Sequence, residues 1–210
     1  MADLWSTVAA ERGELADDLA TLTDEQWRTP SLSGDWTVRQ VVAHLAATAS
    51  LSPPSFMVNF AKARFNFGRF SNAEIDKRLG VSPAATLAKF RSLQYSKSAP
   101  PGPKATWLGE VIVHSEDIRR PLGIPHTYPA EAVRQVAEFY QGSNALIGTK
   151  KRIAGLRLEA TDQDWSHGDG DLVRGPMLAL LLATTGRAVD CDELTGPGVT
   201  ALRSAGSTRR

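Results

Sequence analysis

Glu110 and His114 stand four residues apart in the segment Trp107-Leu-Gly-Glu-Val-Ile-Val-His-Ser-Glu-Asp-Ile-Arg-Arg. On a helix that spacing puts both side chains on one face, one above the other, where the pair can grip a single ion. Val111, Ile112, Val113 and Ile118 around them predict a helix buried on several sides, and a carboxylate in such surroundings demands a partner. His44 lies in an equally apolar stretch, Val41-Val42-Ala43-His44-Leu45, on a different predicted helix. Two imidazoles and a carboxylate with an open fourth position form the layout of a catalytic zinc site, in which the ion activates a water or a thiol. Spacing alone leaves a plainer reading standing: hydrogen-bonded core histidines, with a Glu-x-x-x-His pair that arises by chance.

The elements that must position these residues are mostly helical. Leu4, Val8, Leu15, Leu19 and Leu22 recur at helical intervals and predict a first amphipathic helix. Thr37 with Gln40 three residues on reads as a capping box, with Trp36 and Val41 as its hydrophobic staple, so a second helix starts near Val38 and runs to the Ser50 to Pro54 segment. Residues 55–80 read as partly helical. Ser82-Pro83 opens a helix through Leu87, Phe90 and Leu93, and Thr106 is a candidate cap for the Glu110 helix, which Pro121 should stop. A further helix is expected from about Pro129 to Ile147. After Lys150-Lys151-Arg152 the texture changes. Residues 153–160 alternate as a strand, an Asp/Gly-rich loop follows, Leu172-Val173 suggests a second strand, and Pro176 to Thr185 is an apolar helix before a last short one. The tail from Ser204 to Arg210 is expected to be disordered. The fold class is therefore α+β, with a helical part over 1–150 and a small α/β part over 151–210 packed on it.

Bulk properties narrow the partners. With 24 Lys and Arg against 23 acidic residues, no global field draws in nucleic acid or an anionic membrane. The single cysteine, Cys191, excludes an intramolecular disulfide. The acidic N-terminal stretch is unlike a secretory signal, and the apolar run from Met177 to Ala183 is far short of the roughly 20 residues that cross a bilayer. A cytoplasmic protein with a small-molecule partner is expected, as a monomer or a homodimer.

The segment Ser31-Leu-Ser-Gly-Asp-Trp-Thr-Val-Arg-Gln-Val-Val-Ala-His44-Leu45 resembles the signature of the DinB-like metalloproteins, specifically the mycothiol-dependent maleylpyruvate isomerase family of actinobacteria. The segment from Trp107 to Gly123 is similar to that family's second metal-binding helix. Leu158-Glu-Ala-Thr-Asp162 with Trp165, Gly175-Pro176 and Thr185-Gly-Arg187 is similar to its small C-terminal domain. The resemblance implies a DinB-like four-helix bundle with a small C-terminal α/β domain. It also implies a divalent metal, zinc first, on His44, Glu110 and His114. Glu110 stands where many DinB relatives carry histidine, which points to the isomerase branch, and Asp35 replaces a small residue.

In that reading the thiol of mycothiol is the cosubstrate, because Cys191 lies on a predicted turn away from the metal helices. The cation lowers the thiol's pKa, and the thiolate attacks a small electrophile, for isomerisation or S-transfer. Arg187 is the candidate for an anionic substrate or intermediate, with a helix-end cation as its plain alternative. Asp117, three residues after His114, is a candidate catalytic group that hydrogen-bonds a ligand histidine, with a surface ion pair to Arg120 as its alternative. His167, in the Asp/Gly-rich loop, and Trp107 are the candidate substrate-binding residues. A zinc hydrolase using the same ligands and a non-catalytic metal-binding protein are the rival functions. Asp162-x-Asp164 lacks the glycine and glutamate of a calcium loop. Gly196-x-Gly198 has no room for a dinucleotide fold after it. The Phe65 to Phe70 aromatic and basic mix reads as packing, and His126 as a turn contact.

Overall fold

Helix α1 (Leu4–Ala20) buries Val8, Leu15 and Leu19, the apolar positions of its repeat. It also buries two charged residues, each against a partner. Arg12 donates to the carbonyls of Leu93 and Ser96 at 3.3 and 2.9 Å, and burial lowers its pKa to about 10. Glu11 meets the Nε2 of His126 at 2.9 Å. Helix α2 (Val38–Ser50) begins at the expected capping box. The Thr37 hydroxyl accepts from the Gln40 N–H at 3.4 Å, and the Gln40 Oε1 accepts from the Thr37 N–H at 2.9 Å. Pro53 does more than stop α2. With Ser52 as cap it opens α3 (Pro53–Lys62), and a turn carrying left-handed Arg64 and Phe65 leads into α4 (Phe67–Arg78). Residues 55–80 are thus a helical hairpin. Helix α5 (Pro83–Ser92) starts at Ser82, whose hydroxyl accepts from the Ala85 N–H at 3.2 Å.

Helix α6 (Lys104–Leu122) departs from expectation at both ends. It begins one turn before the capping position expected at Thr106, after Pro103, and it carries Pro121 inside its last turn before Gly123 closes it with φ 66°. Proline lacks the N–H that would bond the carbonyl four residues back. That carbonyl belongs to Asp117, and it accepts instead from the N–H of Leu32 at 3.1 Å. The break in the helical ladder therefore ties the loop before Trp36 to the helix that bears Glu110 and His114.

Helices α1 and α2 each pack against both α5 and α6, which makes a four-helix bundle, and α4 lies along α2. The bundle core is Val8, Leu15, Leu19, Val41, Val42, Leu45, Phe90, Leu108, Val111, Ile112 and Ile118. Helix α3 has no buried residue.

The computed structural model describes residues 3–144 and 147–207, in two compact units, Met1–Thr127 and Tyr128–Arg210. The second unit contains α7 (Ala130–Tyr140), α8 (Thr149–Arg152), β1 (Leu156–Ala160), β2 (Ser166–His167), β3 (Asp171–Gly175), α9 (Met177–Thr184) and α10 (Val199–Ser207). The sheet order is β2-β1-β3. Strand β1 is antiparallel to β2, with Leu158 opposite His167, and parallel to β3, with Leu158 opposite Val173. Buried on almost every side, α9 packs against α7, α10, β1 and β3. The architecture is α+β.

Three expectations about this unit change. The division falls after Thr127 rather than after residue 150, because the apolar stripe of α7, Val133, Val136 and Tyr140, finds its partner in α9. His167 stands in a short strand rather than a loop. The last helix runs to Ser207, so residues 204–207 of the expected disordered tail are helical. The rest of that tail, residues 208–210, lies outside the described residues, as do residues 145 and 146 of the expected 129–147 helix. Among the described residues, no helix is long and apolar enough to cross a membrane.

Candidate metal centre

Helix α2 presents His44, and α6 presents Glu110 and His114 one turn apart. Packing of α2 on α6 in the bundle brings the three together. The Nε2 of His44 lies 3.1 Å, and the Nε2 of His114 3.6 Å, from the same Glu110 oxygen, Oε2. One donor atom from each residue falls within 4.8 Å of the other two. The two imidazoles meet edge to face with centroids 4.8 Å apart. Their side chains keep 13, 25 and 13 % exposure for His44, Glu110 and His114, so the cluster is walled but open to an exchangeable ligand.

Asp117 explains which nitrogen faces the cluster. Its side chain is wholly buried, and its Oδ2 lies 2.8 Å from the Nδ1 of His114. An ionised carboxylate only accepts, so the proton sits on Nδ1 and the Nε2 lone pair points toward Glu110. Acceptor then faces acceptor across 3.6 Å, an arrangement that a cation between them satisfies. The donor set of two imidazoles and one carboxylate, with one histidine oriented by a buried acid, fits a divalent ion of the zinc type. Arg120, the alternative partner for Asp117, has its Nε 3.0 Å from Glu116.

Trp36 does more than the staple role expected of it. As a staple it should only close the entry to α2. Its ring centroid in fact lies 5.0 Å from that of His44 and 6.5 Å from that of His114, and its Nε1 donates to Asn72 on α4 at 3.3 Å. The tryptophan is thus a wall of the cluster, tied to the hairpin. Its place eight residues before His44, two helical turns away with a loop residue at the start, was the available signal.

The structure places the remaining candidates as follows. Trp107 stands three residues before Glu110 and is buried, at 9 % exposure. Arg187 and His167 belong to the second unit. Arg187 donates to the Thr185 carbonyl at 3.3 Å, at the C-terminal end of α9, where a cation also meets the helix dipole. His167 stacks near Trp165 with centroids 6.4 Å apart. Cys191 is buried in a short 3-10 turn of that unit.

His126, read as a turn contact, forms a second His and carboxylate group with Glu11 and Glu14, at 2.9 and 3.6 Å. Burial pushes the Glu11 carboxyl up, and the hydrogen bond and charge of His126 pull it back. It is a buried hydrogen-bonded contact that holds the chain after α6 against α1.

Residues 8–95 match the sequence profile of a family described as the mycothiol maleylpyruvate isomerase N-terminal domain. Two solved structures are similar along the chain. One, a crystal structure of the mycothiol-dependent maleylpyruvate isomerase, is 18 % identical, with 92 % of this chain and 91 % of that one covered and a TM-score of 0.62. The other, a histidine-to-alanine mutant of the mycothiol-dependent maleylpyruvate isomerase, is 17 % identical with the same coverage and TM-score. No curated protein matches the chain.

Proposed function

We propose, for a chain whose residues 8–95 match the model of the mycothiol maleylpyruvate isomerase N-terminal domain, that it is a metal-dependent enzyme that uses mycothiol on a small electrophile, by isomerisation or S-transfer. The observation that carries this reading is the convergence of His44, Glu110 and His114, with the Nε2 of His114 freed by the buried Asp117. A divalent ion there, zinc first, would supply Lewis acidity that lowers a thiol's pKa toward neutrality.

The chain's own residues supply the rest. Asp117 holds the proton on the Nδ1 of His114 and so keeps that ring in the ligating tautomer. Trp36 walls the two imidazoles on one side. Because Cys191 is buried and its thiol is pushed up by burial, the chain has no low-pKa thiol of its own, and the nucleophile comes from outside. For a maleylpyruvate-like substrate, addition of the thiolate sulfur to one alkene carbon turns the double bond into a rotatable single bond. Elimination of the same thiolate re-forms the double bond as the trans isomer, with no net redox change. Arg187 is the candidate to pair with an anionic substrate.

The test is turnover of maleylpyruvate and of other small electrophiles by metal-loaded protein, with and without mycothiol. Turnover that needs both mycothiol and metal is expected. Chelator-sensitive turnover without any thiol would replace this reading with a metal hydrolase.

A further inference from the structure

A groove of about 550 Å³ opens beside Trp36, between the Ser33 to Trp36 loop and helix α4. Its volume is that of a small-molecule subsite, and its lining is polar. Asp35 and Asp76 bring two carboxylates, neither in an ion pair among the described residues. Gln40 and Asn72 bring amides whose oxygens are already committed. That of Gln40 accepts from Thr37, and that of Asn72 accepts from the Trp36 Nε1, so their NH2 groups are what they offer to a ligand. Trp36 contributes the aromatic wall shared with His44.

This set selects a ligand class. A hydroxyl both donates and accepts, so a hydroxyl-rich group can give its protons to the two carboxylates and take the amide protons at the same time. A carboxylate or phosphate would meet two like charges, and a bare ammonium, which has no acceptor, would leave the two amide NH2 groups unanswered. The indole offers an apolar face for C–H groups.

We propose that this groove is a subsite for the neutral, hydroxyl-rich part of the thiol cosubstrate, and that it keeps the anionic electrophile out of this side of the metal centre. Mycothiol carries its thiol on a sugar and cyclitol pair dense in hydroxyls, so the groove would hold that part while the sulfur reaches past Trp36 to the His44 side. The assignment rests on the thiol reading above.

Calorimetric titration of the metal-loaded full-length protein tests it, with mycothiol and with N-acetylcysteine, which has the thiol but not the sugar. Asp35→Ala with Asp76→Ala should weaken mycothiol at least about tenfold, the loss of two charge-assisted hydrogen bonds. N-acetylcysteine binding should stay within about twofold, with the metal content of the wild type. If the alanine pair does not fold, the isosteric Asp35→Asn with Asp76→Asn should still weaken mycothiol selectively, by about threefold or more. Mycothiol affinity unchanged in the folded variants would overturn the subsite and leave the thiol reading standing. Failure of the wild type to bind mycothiol at all would overturn both, a result visible before any variant is made.

Discussion

The Nδ1 of His114 lies 2.8 Å from the Oδ2 of Asp117, a carboxylate with no exposed surface, one helical turn away on α6. This short contact sets the tautomer of one proposed ligand, and the backbone of the same aspartate binds Leu32 because Pro121 leaves its carbonyl unclaimed. A single residue thereby couples the metal centre to the loop that carries Trp36.

Metal content is the first consequence. His44→Ala is expected to lose stoichiometric metal, whereas Asp117→Asn should keep the site and weaken it by roughly 10–100-fold, since the oriented proton on Nδ1 is lost. Elemental analysis of both proteins, followed by competition with a chromogenic chelator, gives the two values. A His44→Ala protein with wild-type metal content would remove the proposed centre.

Cys191 should be inert in the native protein. It is 1 % exposed, and burial raises its thiol above the ordinary 9.0; Arg203 opposes this, and the neighbouring carboxylates Asp190 and Asp192 add smaller upward contributions. Iodoacetamide at neutral pH should label it only after unfolding in urea, and Cys191→Ser should keep mycothiol-dependent turnover. Loss of turnover in a folded Cys191→Ser protein would move the nucleophile into the chain.

Glu11 makes stability depend on pH. Its carboxyl is held above the ordinary 4.5, chiefly by burial. A group whose folded pKa is raised contributes stability that is complete below the unfolded value and is lost as pH rises through the folded one. Glu11→Gln cannot ionise, so its stability relative to the wild type should increase as pH rises from 4.5 toward neutrality. Urea midpoints for the two proteins at pH 4.5 and pH 7 measure that difference, and a Glu11→Gln midpoint that falls relative to the wild type between the two pH values would contradict the burial argument.

Thr37→Ala removes the hydroxyl of the capping box and should cost about 1 kcal/mol. Because α2 carries His44 seven residues on, the same variant should also fray the start of the helix beside Trp36. Thermal unfolding reads the first effect, and hydrogen exchange at Gln40 reads the second.

Several features were legible in the chain as text, because they rest on interactions between residues close in sequence. The Thr37 and Gln40 capping box, the Ser82-Pro83 start of α5, the four-residue spacing of Glu110 and His114, and the alternation that became β1 each depend on one turn or one strand of backbone. The segment of residues 55–80 was less readable. Its hairpin is held by Phe side chains that pack on one another and by α4 against α2, and no single helical period shows that.

What tertiary structure alone decided is who meets whom across the fold. His44 reaches Glu110 because α2 packs on α6, Trp36 turns from a staple into a wall of the centre, and α7 joins the second unit because α9 covers its apolar stripe. Pro121, a stop signal when read alone, lies within α6 because Leu32, 85 residues or more away in sequence, takes the carbonyl it leaves. Periodicity determines which face of a helix is apolar. It carries no information about the partner of that face, since burial is non-directional and the geometry of the site is fixed only when the faces close on one another.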